Sequence, residues 1–453
     1  MKRVVHALFG IVLVAAPGAG QQGVGERYRA VADRIIDAAL ADSGAYTRLT
    51  ELVDRFGHRL SGSESLERAI DWIIAEMRSD GLDRVRGEPV MVPVWVRGEE
   101  SAELVEPWPR RLPMLGLGGS VGTPPEGITA EVLVVSSFDD LTARAAAARG
   151  KIVLFDVPFT NYGQTVRYRG AGAVAAARAG AVASLIRSVT PYSQQTPHTG
   201  AMNYADSAPR IPAAALTVED ATLLHRMQDR GERVVVHLRM GAQTLPDRES
   251  RNVAGELRGR ERPEEIVVMG GHIDSWDVGQ GAMDDGGGVV AAWEAVKLLK
   301  RLGLTPRRTI RVVGWTNEEN GLRGGNAYRD AHRGELANHV LAIETDAGVF
   351  TPQGFGFQGS DSAFALVTQI GGLLRRIDAG TITRGGGGAD IGPIMREGVP
   401  GMGLTVDGTR YFWYHHTDAD TIDKLDPREL ALCVAALAVM AYVAAEMPEG
   451  IPR

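Results

Sequence analysis

Cysteine is almost absent from this chain of 453 residues. Cys433 is the single cysteine, so no intramolecular disulfide can form and no disulfide framework supports the fold. It falls in an apolar helical pattern, which is typical of a small core residue rather than a nucleophile. The composition is 44% hydrophobic and 23% charged, which predicts a globular protein with a sizeable core, arranged as one large domain or two to three smaller ones.

An excess of positive charge and two common functional motifs are also missing. The net charge of −7 gives no electrostatic basis for binding nucleic acid, so we expect no such partner. The chain has no Gly-x-Ser-x-Gly motif, which argues against a serine hydrolase. The glycine run at residues 385–388 is not followed by the Lys-Ser/Thr pair of a phosphate-binding loop, and it fits a flexible pocket rim better.

The N terminus lacks an apolar run long enough to cross a membrane. Lys2 and Arg3 precede a short apolar stretch at residues 7–16, and small residues follow at 18–20. This order predicts a signal peptide over residues 1–22, and hence a secreted or periplasmic protein with no membrane span. No cysteine lies nearby, which argues against a lipoprotein anchor.

Glycine is plentiful, and one part of the chain combines it with histidine and aspartate. Residues 270–277 read Gly-Gly-His-Ile-Asp-Ser-Trp-Asp, and residues 281–288 read Gly-Ala-Met-Asp-Asp-Gly-Gly-Gly. The apolar run at 266–269 predicts a buried parallel strand before them, and the pattern at 289–299 predicts a helix after them. The polar residues therefore fall at the carboxyl end of a strand, where open α/β sheets bind ligands.

The residue types in this segment suit a metal site. His272 offers an imidazole nitrogen, and Asp274 is placed to accept the other imidazole N–H. Asp284 can use both carboxylate oxygens, one for each of two metals. Taken alone, His-x-Asp is as typical of an acidic surface loop as of a metal site. The residues that follow decide between these readings.

Further residues of the metal-binding type follow two more predicted strands and occur in one loop. Glu318 and Glu319 come after one strand, and Asp346 comes after the next. The loop contributes His415 or His416, between which spacing alone does not choose. An isolated Glu-Glu pair is more often a solvated turn, but recurrence after successive strands favours a shared site.

Together these residues predict a dinuclear zinc centre. The bridging carboxylate is Asp284, and each metal has one histidine and one terminal carboxylate besides. Glu318 is the expected general base, which accepts a proton from a metal-bridging water and gives it to the leaving amine.

These motifs resemble the dinuclear-zinc exopeptidases of the aminopeptidase and glutamate carboxypeptidase superfamily, and most of all its plasma glutamate carboxypeptidase branch. The likeness is carried by residues 272–288, Trp315-Thr316 with Glu318-Glu319, Glu344 with 346–348, and 411–416. The resemblance assigns Glu318 as the base and Asp274 as an orienting carboxylate. Its His-Thr-x-x-Asp-Thr pattern favours His416. The implied metal ligands are His272, Asp284, Glu319, Asp346 and His416.

Repeated strand–loop–helix units with short connections predict an α/β fold with a mixed, largely parallel sheet. Residues 116–241 carry no cluster of ligand-type side chains, which predicts an inserted, non-catalytic β-rich domain. The resemblance implies a three-layer α/β/α zinc-exopeptidase domain made of residues 23–115 and 242–453. It identifies the insertion at 116–241 as a protease-associated domain.

The expected function is hydrolysis of dipeptides or short peptides with two Zn²⁺ ions, and the resemblance implies a homodimer. The alternatives are a one-zinc acyltransferase like glutaminyl cyclase and a non-catalytic binding ectodomain. Asp284 and the inserted domain favour hydrolysis over acyl transfer. A binding ectodomain would have lost ligands or the base, and none of them is missing from this sequence. Either end of the peptide could be recognised, and the candidate residues for that role are Glu344, Arg384 and Arg410.

Overall fold

The computed structural model describes residues 23–453, so the predicted signal peptide at 1–22 lies outside the described residues. Two mixed sheets of eight strands each organise the chain. The strands are β1 (Asp83–Val96), β2 (Glu100–Glu106), β3 (Arg110–Leu112), β4 (Met114–Gly116), β5 (Ile128–Val135), β6 (Ile152–Phe155), β7 (Ala183–Arg187), β8 (Ala213–Leu216), β9 (Val235–Met240), β10 (Gln243–Leu257), β11 (Arg262–His272), β12 (Arg308–Trp315), β13 (His339–Glu344), β14 (Pro352–Gln358), β15 (Thr381–Arg384) and β16 (Gly401–Val406).

Helices cover both sheets. They are α1 (Val24–Leu40), α2 (Gly44–Phe56), α3 (Glu64–Ser79), α4 (Phe138–Ala143), α5 (Ala145–Ala148), α6 (Tyr162–Arg178), α7 (Val218–Asp229), α8 (Gly287–Arg301), α9 (Arg323–Ala331), α10 (Asp361–Gly371), α11 (Gly392–Met395), α12 (Tyr411–Tyr414) and α13 (Pro427–Glu446).

The first sheet has the strand order β1-β10-β12-β11-β13-β16-β14-β15. Its four central strands, from β12 to β16, pair in parallel, whereas β1, β10 and β14 run antiparallel to a neighbour. The predicted mixed α/β fold is therefore confirmed. Because the central strands are parallel, the loops that follow them all emerge at one edge of the sheet.

Both faces of the first sheet are covered. On β11, Val267 and Met269 pack into the large core formed with α1, α8 and α13, while Ile266 and Val268 pack into a second core with Tyr328 of α9. Strands buried on both faces read as continuous apolar runs, which is why the run at 266–269 shows no alternation.

Among the described residues, α13 is the one helix that is long and apolar enough to span a membrane. Its best window has a mean hydropathy of 1.8, but 83% of that window is buried inside the protein. The helix packs against α1 and α8, so its apolar surface is covered as in a core helix.

The second sheet, with the order β3-β2-β9-β5-β6-β7-β8-β4, is built entirely from the chain between β1 and β10. Those two strands are antiparallel neighbours in the first sheet, so the chain leaves and re-enters at adjacent points. There the amide N–H of Gly241 donates to the carbonyl of Glu99 at 2.8 Å. We refer to residues 100–240 as the inserted unit.

The inserted unit begins earlier than the predicted boundary at residue 116. Strand β2 has the sequence Glu-Ser-Ala-Glu-Leu-Val-Glu, in which only Ala102 and Leu104 are buried. It pairs with β9, near the end of the unit. The sequence alone does not reveal this strand, because it is rich in charged residues and because its pairing partner lies far along the chain.

Candidate metal centre

The central residue of the site is His272, the last residue of β11. Its imidazole Nδ1 lies 2.9 Å from the main-chain carbonyl oxygen of Asp274, which fixes Nδ1 as the protonated nitrogen. The opposite nitrogen, Nε2, is then free to bind a ligand. It faces Asp284 Oδ1 at 3.2 Å and Asp346 Oδ1 at 3.4 Å.

Asp284 lies between two imidazoles. While its Oδ1 faces His272, its Oδ2 lies 3.3 Å from Nε2 of His416. His416 also lies 3.0 Å from Oε2 of Glu319. The structure therefore brings all five predicted ligands together as two clusters, each with one histidine and one terminal carboxylate, and both share Asp284.

The chemistry of these donors fits a pair of metal ions. His272 Nε2 and Glu319 Oε1 are buried and have no hydrogen-bond partner among residues 23–453, as expected of atoms that bind an ion. Two imidazoles and three carboxylates are a donor set that zinc accepts. Burial opposes the charged form of His416, but the carboxylates of Glu319 and Asp284 outweigh it and raise its pKa to about 10. The site thus carries an excess of negative charge that favours cations.

His415 is a further histidine at this site. Its Nε2 lies 3.6 Å from Asp284 Oδ2, and its ring stacks on that of His416 with 3.5 Å between centroids. Ligand atoms of Asp284, His415 and His416 lie within 4.8 Å of one another. His416 faces two carboxylates and His415 only one, so the geometry agrees with the choice of His416.

The carboxylate of Asp274 has a different partner from the one expected. It lies 3.8 Å from the His272 ring, whereas it accepts the main-chain N–H of Glu318 at 3.1 Å and that of Glu319 at 3.3 Å. The side chain of Ser61 donates to it as well. The expectation is therefore corrected: the main chain of Asp274 orients His272, and its side chain holds the Glu318–Glu319 turn.

Close backbone approach explains the glycines around the site. The buried side chain of Asp285 accepts the N–H of His272 through Oδ2 and that of Gly288 through Oδ1. A Cβ atom on Gly271 or Gly288 would lie 2.1 or 2.2 Å from these oxygens. Only glycine at both positions leaves room for the carboxylate.

Two buried residues that support the loop of Asp284 were missed in the sequence. The carboxylate of Asp420 accepts the main-chain N–H groups of Ala282, Met283 and Asp284 at 2.7 to 3.2 Å. The guanidinium of Arg59, which is fully buried, donates to carbonyl groups of the same loop. Asp420 belongs to the His-Thr-x-x-Asp-Thr pattern, so the sequence held a signal for it, but nothing in the sequence marked Arg59.

A cavity of about 840 Å³ lies over the site, and four of the five candidate ligands line it: Asp284, Glu319, Asp346 and His416. Glu318 lines it, as do Tyr411 and Phe412 of α12. The inserted unit forms the opposite wall, where the Tyr162 ring stacks on Phe412 at 5.3 Å. The amide N–H of Thr199 donates to the carbonyl of His416 at 3.0 Å. The inserted unit therefore takes part in building the site.

None of the residues proposed to recognise a peptide terminus lines this cavity. Arg384 pairs with Asp361, and Arg410 pairs with Glu429. Glu344 is buried beneath the loop at 385–391, where it accepts the N–H of Ile391 at 2.8 Å. The glycine run at 385–388 is likewise absent from the cavity wall, because it packs on the first sheet; a Cβ on Gly388 would lie 2.0 Å from the Glu344 carboxyl carbon.

Comparison with known proteins agrees with this geometry. The family model of peptidase family M28 matches residues 252–441. Carboxypeptidase Q of Xenopus laevis is 50% identical over 94% of this chain and 92% of its own length. Human carboxypeptidase Q is 49% identical over 93% of this chain and 90% of its own length.

The chain belongs to peptidase family M28.

Solved structures of M28 and related peptidases share the fold. A peptidase M28 precursor from Shewanella amazonensis SB2B superposes with a TM-score of 0.91 at 38% identity, over 94% of this chain and 98% of that one. A zinc aminopeptidase from Bacillus subtilis, BSAP, gives a TM-score of 0.67 at 21% identity, over 90% and 95%. Membership of M28 makes the chain a metallopeptidase and confirms the family and enzyme class expected from the sequence.

Proposed function

We propose that this M28 peptidase is a dinuclear zinc exopeptidase that hydrolyses dipeptides or short peptides. The observation that carries the proposal is the position of Asp284, whose two oxygens face two different imidazoles at 3.2 and 3.3 Å. His272 and Asp346 would hold one ion, and His416 and Glu319 the other. Two bound zinc ions would supply Lewis acidity for the scissile carbonyl and promote ionisation of the attacking water.

Glu318 has the proton-transfer role in this proposal. Its main-chain N–H is held by Asp274, and its side chain lines the cavity beside the ligands. Burial, together with the carboxylates of Asp346 and Glu319, raises the pKa of Glu318 well above its ordinary value in the metal-free protein. As general base it takes a proton from water at a carboxylate oxygen and delivers it to the leaving amine.

The test is a metal analysis of the purified protein together with a panel of dipeptides blocked at either end. We expect two zinc ions per chain and hydrolysis of unblocked dipeptides. Mass spectrometry would identify the products. One zinc per chain and loss of ammonia from an N-terminal glutamine would support the acyltransferase instead. Absence of both metal and turnover after zinc addition would support a binding ectodomain.

Glu318→Gln tests the base directly. We expect kcat to fall by about 10²- to 10⁴-fold, the usual contribution of general acid–base catalysis, with zinc content unchanged. Glu103→Gln, which makes the same change on an exposed strand face, is the matched control. Retention of wild-type kcat in Glu318→Gln would remove this residue from the base role.

We further propose that the inserted unit is a protease-associated domain, inserted between the two parts of a peptidase domain. The bases are its place between β1 and β10 and its separate hydrophobic cores. The signal-like N terminus supports export to the periplasm or the medium, which cell fractionation and N-terminal sequencing of the mature protein would test.

We also propose a homodimer, which is implied by the resemblance of the sequence to the plasma glutamate carboxypeptidase branch. Strand β1 is an edge of the first sheet and exposes Met91 and Val96, with Leu245 beside them on β10. Exposed apolar residues on an edge strand are a feature that association would cover. Light scattering of the purified protein would give the mass, and a monomer at all concentrations would contradict the proposal.

A further inference from the structure

One loop of the inserted unit contacts the segment that carries His416. It comprises residues 188–200, between β7 and β8, and we call it the bridging loop. Near its start, the hydroxyl of Thr190 donates to the carbonyl of Phe412 at 2.5 Å. At its end, the N–H of Thr199 donates to the carbonyl of His416 at 3.0 Å. The bridging loop therefore holds this segment at two points.

Thr199 makes a second contact with His416, in the opposite direction. The imidazole Nδ1 of His416 lies 3.3 Å from the carbonyl oxygen of Thr199. When Nε2 binds a metal, Nδ1 carries the proton and is the donor to this carbonyl. A hydrogen bond of this kind fixes the ring orientation of a metal-binding histidine. The group that orients His416 therefore belongs to the inserted unit.

The two candidate metal sites differ in this respect. His272 is oriented by the carbonyl of Asp274, two residues further along the chain, at a distance of 2.9 Å. His416 is oriented by Thr199, which lies 217 positions away in the sequence, and the distance is longer. The histidine of the first site is thus held by its own loop, whereas the histidine of the second site is held across the junction of the two units.

The backbone of His416 also needs outside support. Its φ is 60°, in the left-handed region that residues other than glycine seldom adopt. Such a conformation persists only where the surrounding structure imposes it. The hydrogen bond from the N–H of Thr199 to the His416 carbonyl is one such contact. By contrast, His272 is the last residue of a regular strand, β11.

Thr199 is itself held firmly within the inserted unit. The residue is fully buried, and its hydroxyl donates to the carbonyl of Gly116 at 2.7 Å. Its carbonyl oxygen has two lone pairs, and it accepts Nη1 of Arg169 at 3.3 Å as well as the His416 ring. The position of the Thr199 carbonyl therefore follows the position of the inserted unit.

We propose that the inserted unit controls the retention of one of the two metal ions, with Thr199 as the positioning residue. The ion held by His416 and Glu319 binds more weakly and exchanges, because its histidine is oriented from the other unit. The ion held by His272 and Asp346 is retained. This inference rests on the proposed dinuclear site and adds a means of regulating it, since displacement of the inserted unit would release one ion and leave the other.

Two single-site variants separate the ions. His416→Ala leaves the site of His272 and Asp346, and His272→Ala leaves the site of His416 and Glu319. The zinc dissociation constant of each is measured by competition with a chromophoric chelator, which requires no peptidase activity. We expect zinc to bind about 10-fold more weakly to the His272→Ala protein, within the range that a group orienting a ligand contributes.

Thr199→Val is then added to each single-site variant. It removes the hydroxyl that anchors Thr199 and keeps the shape of the side chain. In the His272→Ala protein we expect a further loss of about 10-fold in zinc affinity. In the His416→Ala protein we expect no change. Thr199→Ser, which keeps the hydroxyl, should restore the affinity.

Two controls lie elsewhere in the inserted unit. Thr222→Val makes the same substitution in α7, where the hydroxyl donates to the carbonyl of Val218 at 2.8 Å within the helix. Ser137→Ala removes the side chain that caps α4 by accepting the N–H of Asp140 at 3.0 Å, and so destabilises the unit away from the bridging loop. We expect both to leave the two zinc dissociation constants unchanged.

Four results would overturn the proposal. They are equal dissociation constants in the two single-site variants, an equal loss in both on adding Thr199→Val, an unchanged constant in both, and a loss in Ser137→Ala as large as that in Thr199→Val. The second and fourth results would show that Thr199 supports only the fold as a whole.

Metal binding by the wild type separates this inference from the peptidase proposal. Chelator should remove its two zinc ions in two steps, the first of which occurs at lower chelator concentration in Thr199→Val. A wild type that binds no zinc would reject the dinuclear site and this inference with it. Two bound zinc ions without hydrolysis of any dipeptide would reject only the peptidase proposal, and the dissociation constants would still decide the role of Thr199.

Discussion

At the scale of the residue, Asp420 illustrates how one carboxylate can determine the geometry of a whole centre. It holds the three successive amide groups that end at Asp284. Asp420→Asn replaces one acceptor oxygen with an amide NH2 group, which is a donor, so one or more of the main-chain N–H groups loses its partner. We expect the affinity for metal to fall by about 10- to 100-fold, the usual effect of removing a group that orients a ligand.

A chelator titration followed by zinc analysis would measure this change. Asp418→Asn is the control, since Asp418 is exposed two residues earlier in the same loop. The prediction fails if both variants release zinc at the same chelator concentration as the wild type.

The meeting of the candidate ligands could be predicted from the sequence because parallel strands share an edge. His272, Glu319 and Asp346 each follow a parallel strand or end it, so their meeting required no knowledge of distant contacts. Arg59 could not be predicted in this way. It reaches the site from a distant turn, and an isolated arginine has no sequence pattern to mark it.

At the scale of the element, the end of α9 is attached to the first sheet by a charged network. His332 caps the helix, and its ring contacts Glu335 at 2.6 Å and Glu88 of β1 at 3.0 Å. Burial lowers the pKa of His332, but these two carboxylates outweigh it and raise the pKa. The hydrogen bond from His332 holds the pKa of Glu335 well below its ordinary value, and Glu88 shifts in the same direction.

The direction of these shifts predicts a pH window for stability. Because the pKa of His332 is raised by folding, its contribution to stability is fully present below about pH 6.5. This contribution is lost as the pH rises through the pKa of the folded state. Because folding lowers the pKa values of Glu335 and Glu88, their contribution to stability is fully present above about pH 4.3. This contribution is lost as the pH falls below that value. The network should therefore stabilise the protein most at about pH 5.5.

His332→Gln tests this window by urea denaturation of the chelator-treated protein. We expect it to destabilise by about 1 kcal/mol more at pH 5.5 than at pH 8.5, a modest value because the Glu335 side chain is 37% exposed and solvent screens the pair. His58→Gln changes an exposed histidine and serves as the control. A destabilisation that is the same at both pH values would contradict the network's role.

Strands β14 and β15 were not predicted, for a physical reason that also applies to β2. Strand β14 reads Pro-Gln-Gly-Phe-Gly-Phe-Gln, and glycine favours turns when the sequence is considered locally. In the folded protein β14 pairs with β16 and β15, and a Cβ on Gly356 would meet the carbonyl oxygen of Gly385 at 2.6 Å. Tertiary pairing thus overrides local preference. By contrast, the apolar helical pattern around Cys433 is confirmed, because this residue lies in α13 (Pro427–Glu446).

At the scale of the whole molecule, the site depends on how the inserted unit meets the first sheet. Trp276, which lies between two ligands in sequence, packs against Gly118 of the inserted unit; a Cβ there would lie 2.0 Å from its ring. Gly118→Ala should push the two units apart and destabilise the protein by about 2 kcal/mol, as overpacking does. We expect kcat/KM to fall as well, because the inserted unit forms one wall of the cavity.

Thermal melting and dipeptide kinetics would measure both effects. Gly170→Ala is the control, because it lies in α6 with no atom within 4 Å of an added Cβ. Alanine there should be neutral or slightly stabilising, since glycine is unfavourable inside a helix. A Gly118→Ala variant with wild-type melting and kinetics would show that the contact between the units is not needed.

The packing of α13 against α1 has a consequence for the order of events during biosynthesis. The large core contains residues of both helices, and these lie at opposite ends of the described sequence. Until the ribosome has synthesised residue 446, α1 and α8 lack the helix against which both of them pack. The large core therefore cannot be completed until synthesis of the described chain is almost finished, although the separate cores of the inserted unit can form earlier.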